Sequence, residues 1–574
     1  MKKRILASLL AFGMLASMLT GCADRNGTQN QSESKVQTES KGGNTAGSEV
    51  KLSFYSAPAQ ADGSNSQWYW DIVKEKFGIT FDIKVNSGDG DIMSALLGSG
   101  ELPDIVIFGN PEDMMTAAQG GMLVNLDDYQ EKLNEVYENS NFDIAMDYAK
   151  SLTNGRHFAL PTQVGDNNGV EYNLQVRWDI YSKIGCPEAA GWEEYLNVIK
   201  QMVEKEPETA EGLKMYGLGL FNDWDGNYMR NMTFYYEGPM GYTMDYHGGL
   251  VEVKADLSEE PRSILDDNST YKAGLEYLYK ANQMGLIDPD STAQNYDGFN
   301  TKVAAGQYAM VPFNWSGYGK TNVEDFKGYA SAWPKSVEVV TYGPYITGCE
   351  WYIGIGSKCK NIDKALELLN WYYSREGILT YQRGPEGDLW KMENGKAVYT
   401  DKFIALNSQG GKLEIEGGGD LTDLKNTFNS CAVSGWTLDP ETNQPYDIYN
   451  MDVKFLNELT TDYMRDSWQG HFGKYVDMYS YCLDKAPEML TVKSNKLSFI
   501  PPASDEMVTL TNQIGNLVRE ASWKMVFAKD KEEFDALWEQ VKTDAEQLGM
   551  DKVLEDALAR HDEGMKQAEV FHIE

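Results

Sequence analysis

The run Asp104-Ile105-Val106-Ile107-Phe108 sets the architecture of this chain. It is short and continuously apolar, and it lies between Pro103 and the turn-forming triplet Gly109-Asn110-Pro111. An apolar run of this length, bounded by glycine and proline, is typical of a strand that is buried on both faces. A sheet whose two faces are both covered therefore has to be built around it.

The residues upstream supply the rest of that sheet. Apolar side chains alternate with polar ones over residues 50–54 and again over residues 79–85, as in half-buried strands. Apolar residues have helical spacing over residues 68–77, which lie between these two strands, and over residues 91–97, which follow the second strand. The order strand, helix, strand, helix, strand predicts right-handed crossovers and a parallel α/β sheet. Ligands of such sheets bind beyond the carboxyl ends of the strands, here residues 56–67 and 109–114.

The first residues of the chain indicate export. Lys2-Lys3-Arg4 precedes an apolar stretch over residues 5–19. The motif Leu19-Thr20-Gly21-Cys22 closes this stretch. This segment resembles a bacterial lipoprotein signal, which implies removal of residues 1–21 and diacylation of Cys22. Residues 23–48 contain no aromatic side chain, so residues 22–48 are predicted to be a disordered tether. We therefore expect the protein on the outer face of a cytoplasmic membrane of Gram-positive type, held by its lipid.

Composition narrows the classes of partner. The chain has 574 residues and a formal net charge of −36, with 51 basic and 87 acidic side chains. A length above what one hydrophobic core normally holds predicts at least two lobes. The acidic balance argues against nucleic acid as a partner and favours a neutral ligand over an anionic one.

Cysteine and histidine give no metal or redox signature. Five cysteines follow Cys22, and the absence of a Cys-x-x-Cys pair favours structural thiols, at least one of them unpaired. The five histidines are scattered along the chain. We expect neither a metal nor a cofactor.

A series of short motifs carries a family resemblance. The stretch Ser99-Gly100-Glu101-Leu102-Pro103-Asp104-Ile105-Val106 is similar to a strand motif of the extracellular solute-binding proteins that feed bacterial ABC sugar importers. Further similar segments occur in the family's order along the chain: residues 158–161, 176–179, 192–195, 285–289, 299–310, 357–377 and 549–552. Each motif alone is weak, but their order behind a lipoprotein signal is specific.

The resemblance implies a periplasmic-binding-protein-like fold of two α/β lobes, each a mainly parallel sheet with flanking helices, joined by hinge strands. By analogy the N-terminal lobe comprises residues 49–165 and about 352–390, and the C-terminal lobe comprises about 170–350 and about 391–574. The chain would cross between lobes near residues 164–170 and 349–355. The implied partners are a neutral oligosaccharide between the lobes and the permease subunits of an ABC transporter, with the binding protein a monomer.

Sugar recognition needs aromatic faces for the C–H surfaces of the ring and directional polar groups for its hydroxyls. Several aromatic residues stand in turn-like, polar contexts, and Trp315 matches a platform position of the family. The predicted ligand-binding aromatics are Trp224, Trp315, Tyr318, Trp351, Trp390 and Trp436. The predicted polar contacts are Asn110, Glu112, Asp166, Asn168 and Asp225. For each, a role at the edge of a core or as a turn or helix cap is the alternative interpretation.

Two other functions compete with sugar binding. A surface lipoprotein that hydrolyses glycosides would need a pair of carboxylates at defined spacing, and among 87 acidic residues such a pair can always be proposed. The chain contains no Gly-x-Ser-x-Gly nucleophile motif and no His-Glu-x-x-His motif, so we expect no enzyme. The second competitor is a binding protein for a peptide or another non-sugar solute, which the same fold can serve.

The lipoprotein signal gives the first prediction. Replacing Cys22 by serine removes the thiol that accepts the diacylglyceryl group, so Cys22→Ser should incorporate no labelled fatty acid and should stay unprocessed or leave the membrane. Metabolic labelling and membrane fractionation measure both effects. Cys349→Ser is the control and should label normally, and acylation of the Cys22→Ser variant would contradict the assignment.

Overall fold

The computed structural model of the protein describes residues 49–84, 92–167, 169–170, 172–244, 247–313, 328–349, 351–408, 412–452, 455, 463–473, 475 and 478–573. Four of the candidate positions lie outside the described residues: Cys22, Asn168, Trp315 and Tyr318. The signal segment and the tether lie outside them as well.

The strands are numbered along the chain. They are β1 Val50–Ser56, β2 Ile79–Lys84, β3 Ile105–Phe108, β4 Ala159–Pro161, β5 Gln175–Arg177, β6 Tyr242–Thr243, β7 Val251–Lys254, β8 Arg262–Ser263, β9 Met310–Val311, β10 Tyr329–Ser331, β11 Val339–Thr341, β12 Tyr352–Ile355, β13 Trp390–Glu393, β14 Lys396–Tyr399 and β15 Leu490–Val492.

The α-helices are numbered in the same way. They are α1 Gln67–Phe77, α2 Ile92–Ser99, α3 Pro111–Gln119, α4 Asn134–Tyr137, α5 Asp143–Leu152, α6 Trp178–Lys183, α7 Trp192–Lys205, α8 Thr270–Gln283, α9 Tyr296–Ala304, α10 Ile362–Tyr373, α11 Arg375–Arg383, α12 Asp401–Ser408, α13 Leu421–Phe428, α14 Tyr463–Phe472, α15 Met478–Lys485, α16 Asp505–Val526, α17 Lys531–Leu548 and α18 Met550–Val570.

The N-terminal lobe is built on a five-stranded sheet of order β2-β1-β3-β12-β4. β1 pairs in parallel with both β2 and β3, so the strand-helix-strand pattern predicted from residues 50–108 is confirmed. β12 runs antiparallel to both of its neighbours, β3 and β4. Along β3, Ile105 and Ile107 belong to one apolar core and Val106 and Phe108 to another on the opposite face. This division explains why the run is apolar at every position.

The N-terminal lobe extends further along the chain than the sequence indicates. Residues 396–451 were assigned to the C-terminal lobe, but Phe403 and Leu424 pack in the same core as β1 and β12. Arg375 of α11 holds this segment through two hydrogen bonds to the buried carboxylate of Asp439, of 2.6 and 2.7 Å. The periodicity of a helix shows that one face is buried, but it does not show which lobe covers that face.

The C-terminal lobe has its own sheet and a larger core. β5 lies between β10 and β9 and runs antiparallel to both. Parallel bridges extend the sheet from β9 to Tyr216 and from Leu218 to Ile287. The long helix α16 closes the core against α8, where the hydroxyls of Tyr271 and Ser522 lie 2.7 Å apart. The lobe is thus completed by helices from the end of the chain.

Three described segments lie side by side where the lobes meet. Gly165 pairs with Tyr345 and Val170 with Thr341, and the amide of Tyr345 donates to the carbonyl of Gly165 at 2.8 Å. A further bridge joins Val164 to Val433 in the segment 431–437. Gly165 has a φ of +111°, and a Cβ there would lie 2.2 Å from Oγ1 of Thr437. Only glycine allows the third segment to approach so closely.

The last helix also reaches both lobes. Near its start, Met550 and Val553 belong to the core of the C-terminal lobe. Near its end, Ala568 packs with Tyr148 of α5 and with Phe499. The rings of Tyr148 and Phe499 are 5.1 Å apart. The two lobes therefore meet through this apolar contact as well as through the paired segments.

Two further observations concern the described part of the chain as a whole. No helix in it is long and apolar enough to span a bilayer. Within it, the cysteines at 186, 349, 359, 431 and 482 form no disulfide bond.

The Arg375–Asp439 pair gives a prediction for stability. Asp439→Ala leaves the guanidinium without its buried acceptor and should lower the free energy of unfolding by about 2 kcal/mol, since Arg375 itself is partly exposed. Glu441→Ala is the matched control, because Glu441 meets the same arginine at 3.1 Å but is 65% exposed. Its effect should stay within about 0.5 kcal/mol. Urea denaturation measures both, and equal effects would contradict the assigned role of the buried pair.

Candidate functional site

An exposed tryptophan stands on the C-terminal lobe above an aromatic cluster. Trp224 is 40% exposed, and its ring centre lies 4.2 Å from that of Tyr296 at an angle of 32°. Phe221 and Phe313 support it at 5.1 and 5.8 Å. A large aromatic side chain that packs on one side and faces solvent on the other has the form of a stacking platform.

The loop that carries Trp224 is fixed by polar contacts. Asp225 accepts a 2.6 Å hydrogen bond from the indole of Trp523 and a 2.8 Å hydrogen bond from the amide of Arg230. Asp223 accepts from the amide of Tyr296 at 2.8 Å, which holds that ring beneath Trp224. Asp225 therefore holds the loop in place. This is the role of a turn or cap side chain, which the sequence analysis gave as the alternative to contact with a ligand.

A cavity of about 310 Å³ lies where the two lobes face each other. On the side of the N-terminal lobe it is lined by Asn110, Pro111, Glu112 and Tyr148. On the side of the C-terminal lobe, Asn227 lines it from the loop that carries Trp224, together with His247 and Gly248. The remaining lining residues come from the end of the chain: Ile500, Pro501, Pro502, Ala503, Val508, Thr511, Asn512 and Arg560. Its size falls in the range of small-molecule sites.

The two predicted polar residues after β3 both line this cavity. Asn110 caps α3: its Oδ1 accepts from the amide of Asp113 at 2.8 Å, and its Nδ2 donates to the Asp113 carboxylate at 2.9 Å. Glu112 is exposed in the first turn of the same helix. The carboxyl end of β3 thus contributes to the candidate site, as the sheet topology predicts. The side chain of Asn110 is held by Asp113, whereas that of Glu112 is exposed.

Three candidates lie on the segments that join the lobes. Asp166 is exposed, directly after Gly165. Trp351 is half-buried, and its carbonyl accepts from the amide of Thr162 at 3.1 Å. Trp436 is half-buried on the segment that pairs with Val164. These three residues therefore lie on neighbouring chain segments near Gly165.

Trp390 is placed differently from the others. It is only 4% exposed and belongs to the core of the N-terminal lobe. Its indole donates to the carbonyl of Gly384 at 2.8 Å, and the Arg383 guanidinium lies over its ring at 5.2 Å. With 4% of its surface exposed and with its polar edge and one face in contact with the protein, Trp390 has little surface to offer a ligand. In the sequence, Trp390 stands among glycine and acidic residues, as in an exposed turn. The local pattern therefore does not predict that it is buried.

Several contributors to the site carry no sequence signal. Tyr296 and Trp523 are far along the chain from the loop that they support, and Asn512 and Arg560 belong to helices whose local pattern is simply amphipathic. Only the folded chain brings them together. Among the described residues, no group of three or more His, Cys, Asp or Glu side chains is arranged to hold a metal ion.

The environment of Asp225 gives a prediction for pH. Burial raises the pKa of this carboxyl from 3.8 to about 6, although the hydrogen bonds from Trp523 and Arg230 favour the ionised form. The folded protein therefore holds this proton more tightly than the unfolded chain. Its contribution to the free energy of unfolding should fall as the pH rises from about 4 to about 6, and should then level off.

The measurement compares the wild type with Asp225→Asn, which cannot titrate. The difference between their free energies of unfolding should change in favour of the variant across that interval and stay constant above pH 7. Subtracting the two curves removes the other groups that titrate there. A difference that does not vary between pH 4 and pH 7 would contradict the raised pKa.

Comparisons with known proteins identify the fold. The chain is similar to a human milk oligosaccharide-binding, ABC-transporter-associated solute-binding protein from Bifidobacterium longum infantis, with 16% identity over 90% of this chain and 99% of that one and a TM-score of 0.55. It is also similar to the ABC-transporter substrate-binding protein FusA of Streptococcus pneumoniae, solved with kestose, with 14% identity over 91% and 100% of the two chains and a TM-score of 0.58. The N-glycan transport solute-binding protein NgtS of Streptococcus pneumoniae matches with 16% identity over 90% and 99% and a TM-score of 0.51.

These neighbours share the two-domain, periplasmic-binding-protein-like architecture seen here, so the predicted two-lobe α/β fold is confirmed. The sheets of the described residues are mixed rather than mainly parallel, because β12 runs antiparallel to both of its neighbours in the N-terminal lobe and β5 does so in the C-terminal lobe. No curated protein matches the chain in sequence. Residues 53–378, more than half of the 574 residues, match the profile of a family described as bacterial extracellular solute-binding protein. On that match, which covers both the parallel sheet of the N-terminal lobe and the Trp224 platform, the chain belongs to the bacterial extracellular solute-binding protein family.

Proposed function

We propose that this protein captures a neutral oligosaccharide between its two lobes and delivers it to the permease of an ABC importer. The observation that carries the proposal is the exposed ring of Trp224, presented on a rigid loop beside a cavity to which both lobes contribute. An aromatic face suits the C–H surface of a sugar ring, and the polar residues nearby suit its hydroxyls.

Binding between lobes also provides a means of delivery. A ligand that contacts both lobes stabilises the closed arrangement over the open one, and a permease can distinguish the two. The pairs Gly165–Tyr345 and Val170–Thr341 lie where the chain passes between the lobes, so these two segments are suited to act as the hinge. Anchoring through a diacylated Cys22 would keep the protein beside its transporter, on the outer face of the membrane.

The charge of the site supports a neutral ligand. The chain as a whole carries −36, which repels anions at long range. In the cavity Arg560 is the lining cation, and its Nε already donates to Asp556 at 2.7 Å. Solved neighbours are named for milk oligosaccharides, N-glycans and alginate, and FusA was solved with kestose, which supports a carbohydrate ligand without deciding its charge.

The glycosidase alternative has less support. Hydrolysis of a glycosidic bond needs two carboxyl groups about 5 to 9.5 Å apart at the reacting centre. Among the described residues that line the cavity, Glu112 is the only carboxylate. The described lining therefore offers groups that could hold a sugar and contains one carboxyl group rather than a pair.

A thermal-shift panel tests the ligand class. The panel contains neutral oligosaccharides of the fructan, mannan and milk types, an alginate oligosaccharide as the anionic case, and short peptides. A ligand at 100 times its dissociation constant stabilises the folded state by about 2.7 kcal/mol, which gives a clear upward shift. A shift with neutral sugars is expected, and a shift with peptides alone would favour the other binding function. Release of free monosaccharide during incubation would favour the glycosidase.

Trp224→Ala gives the sharper prediction. Loss of one desolvated stacking contact costs on the order of 2 kcal/mol, so the affinity for the sugar that binds best should fall about thirtyfold. Trp224→Tyr, which keeps an aromatic face, should recover most of it. Calorimetry measures the affinities, and the unliganded melting temperatures should stay close to that of the wild type because Trp224 is 40% exposed. Unchanged affinity in the alanine variant would place the platform elsewhere.

A further inference from the structure

A tyrosine of the N-terminal lobe is buried in an apolar recess of the C-terminal lobe. Tyr148 of α5 is 4% exposed, and it packs with Phe499 and Ala568, which are fully buried. The ring centre of Tyr148 lies 5.1 Å from that of Phe499 and 6.5 Å from that of Phe571. The two phenylalanine rings are themselves 5.1 Å apart. Phe499, Ala568 and Phe571 thus form a socket for Tyr148.

Tyr148 is fixed to the N-terminal lobe through its helix. Ala145 and Met146 of α5 belong to the apolar core that contains residues of β1 and β12. Ala149, directly after Tyr148, belongs to the core on the opposite face of the same sheet. Since α5 is anchored on both of these cores, it moves with the N-terminal lobe and carries Tyr148 with it.

The socket is built on the C-terminal lobe. α18 begins in the core of that lobe and runs from there to the socket. Gly564 allows α18 to pack closely on the chain after Phe499, because a Cβ at Gly564 would lie 2.7 Å from Cα of Ile500. Ile500 packs in turn with Val253 of β7. Both sides of the socket therefore move with the C-terminal lobe.

The contact lies beside the segments that join the lobes. Ile346 packs against the same cluster as Tyr148, and it directly follows Tyr345, whose amide donates to the carbonyl of Gly165. A point close to an axis of rotation moves less than a point far from it. Tyr148 can therefore stay in its socket while the lobes rotate, whereas a contact at the far edge of the cleft would have to break.

A third point of contact restricts how the lobes can move. The pairs Gly165–Tyr345 and Val170–Thr341 are antiparallel, so the two segments form a narrow two-stranded ribbon. Such ribbons twist more readily than wider sheets, and the ribbon alone leaves the lobes able to twist as well as to close. Apolar burial opposes withdrawal of Tyr148 from its socket, because separation would expose the buried rings to water.

We propose that Tyr148 and its socket are a pivot, which stays closed while the lobes rotate and limits that rotation to opening and closing. The inference rests on the rotation of the lobes in the proposed function and does not depend on the class of ligand. It gives the last residues of the chain a role in the motion of the lobes. Without the pivot the ribbon still joins the lobes, but they twist as well as close.

Thiol labelling tests whether the contact opens. Ala568→Cys places a thiol in the socket, and its alkylation by N-ethylmaleimide is followed by mass spectrometry of the peptides. This thiol should react as slowly as that of Cys431, which is fully buried in the core of the N-terminal lobe and is the internal control. Val570→Cys, at a position of the same helix that is 74% exposed, should react at least about a hundredfold faster.

Hydrogen exchange tests whether the contact controls the hinge. Phe571→Ala removes a half-buried ring from the socket. The amides of Gly165, Tyr342 and Tyr345, which pair across the hinge, should then exchange about tenfold faster. The amides of β1 and β3 should not change, which separates a loosened hinge from a general loss of stability. Phe571→Leu should restore most of the protection, and the exposed control Val570→Ala should match the wild type.

The outcomes separate the pivot from the proposed function. Alkylation of Ala568→Cys as fast as that of Val570→Cys overturns the pivot, and so does hinge exchange in Phe571→Ala that is unchanged or accelerated equally in β1 and β3. A thermal shift of the wild type with a neutral oligosaccharide such as nystose would still support the proposed function. A loosened hinge in Phe571→Ala without a thermal shift from any sugar supports the pivot and overturns the carbohydrate ligand. Hinge amides of the wild type that exchange as slowly as those of β1 would overturn both.

Discussion

The two lobes are joined by main-chain pairing between the chain that follows β4 and the chain that precedes β12. The amide of Tyr345 donates to the carbonyl of Gly165 at 2.8 Å, and the amide of Tyr342 donates to the carbonyl of Gly169 at 3.2 Å. Each lobe has its own apolar core, and the last helix adds an apolar contact between Ala568 and Tyr148. Because the cavity takes its walls from both lobes, these contacts between the lobes set its shape.

Two neighbouring residues of the loop that carries the platform, Trp224 and Asp225, have different roles. Asp225 is held by Trp523 and by the amide of Arg230, so it fixes the loop at the cost of keeping a carboxyl partly buried. Trp224, one residue earlier, remains exposed on top of Tyr296. In the proposed function this support would lower the entropy lost on binding, since the side chain is already in place before a ligand arrives.

The C-terminal helices have two roles in this architecture. α16 and α17 complete the core of the C-terminal lobe, and α18 continues from that core to the contact between Ala568 and Tyr148 of the N-terminal lobe. Their remaining surface lines the cavity opposite Glu112. The same segment therefore stabilises one lobe, touches the other, and supplies a wall to the site between them.

The sequence alone determined the three parallel strands β1, β2 and β3, because alternating and continuous apolar runs at residues 50–108 allow few other arrangements. It also pointed to Asn110 and Glu112 at the carboxyl end of β3, where both line the cavity, and their contact with a ligand stays a prediction. Only the tertiary structure decided that Trp390 is buried, and that residues 396–451 belong to the N-terminal lobe. Local patterns report that a face is covered, whereas the identity of the covering surface depends on contacts between residues far apart in the chain.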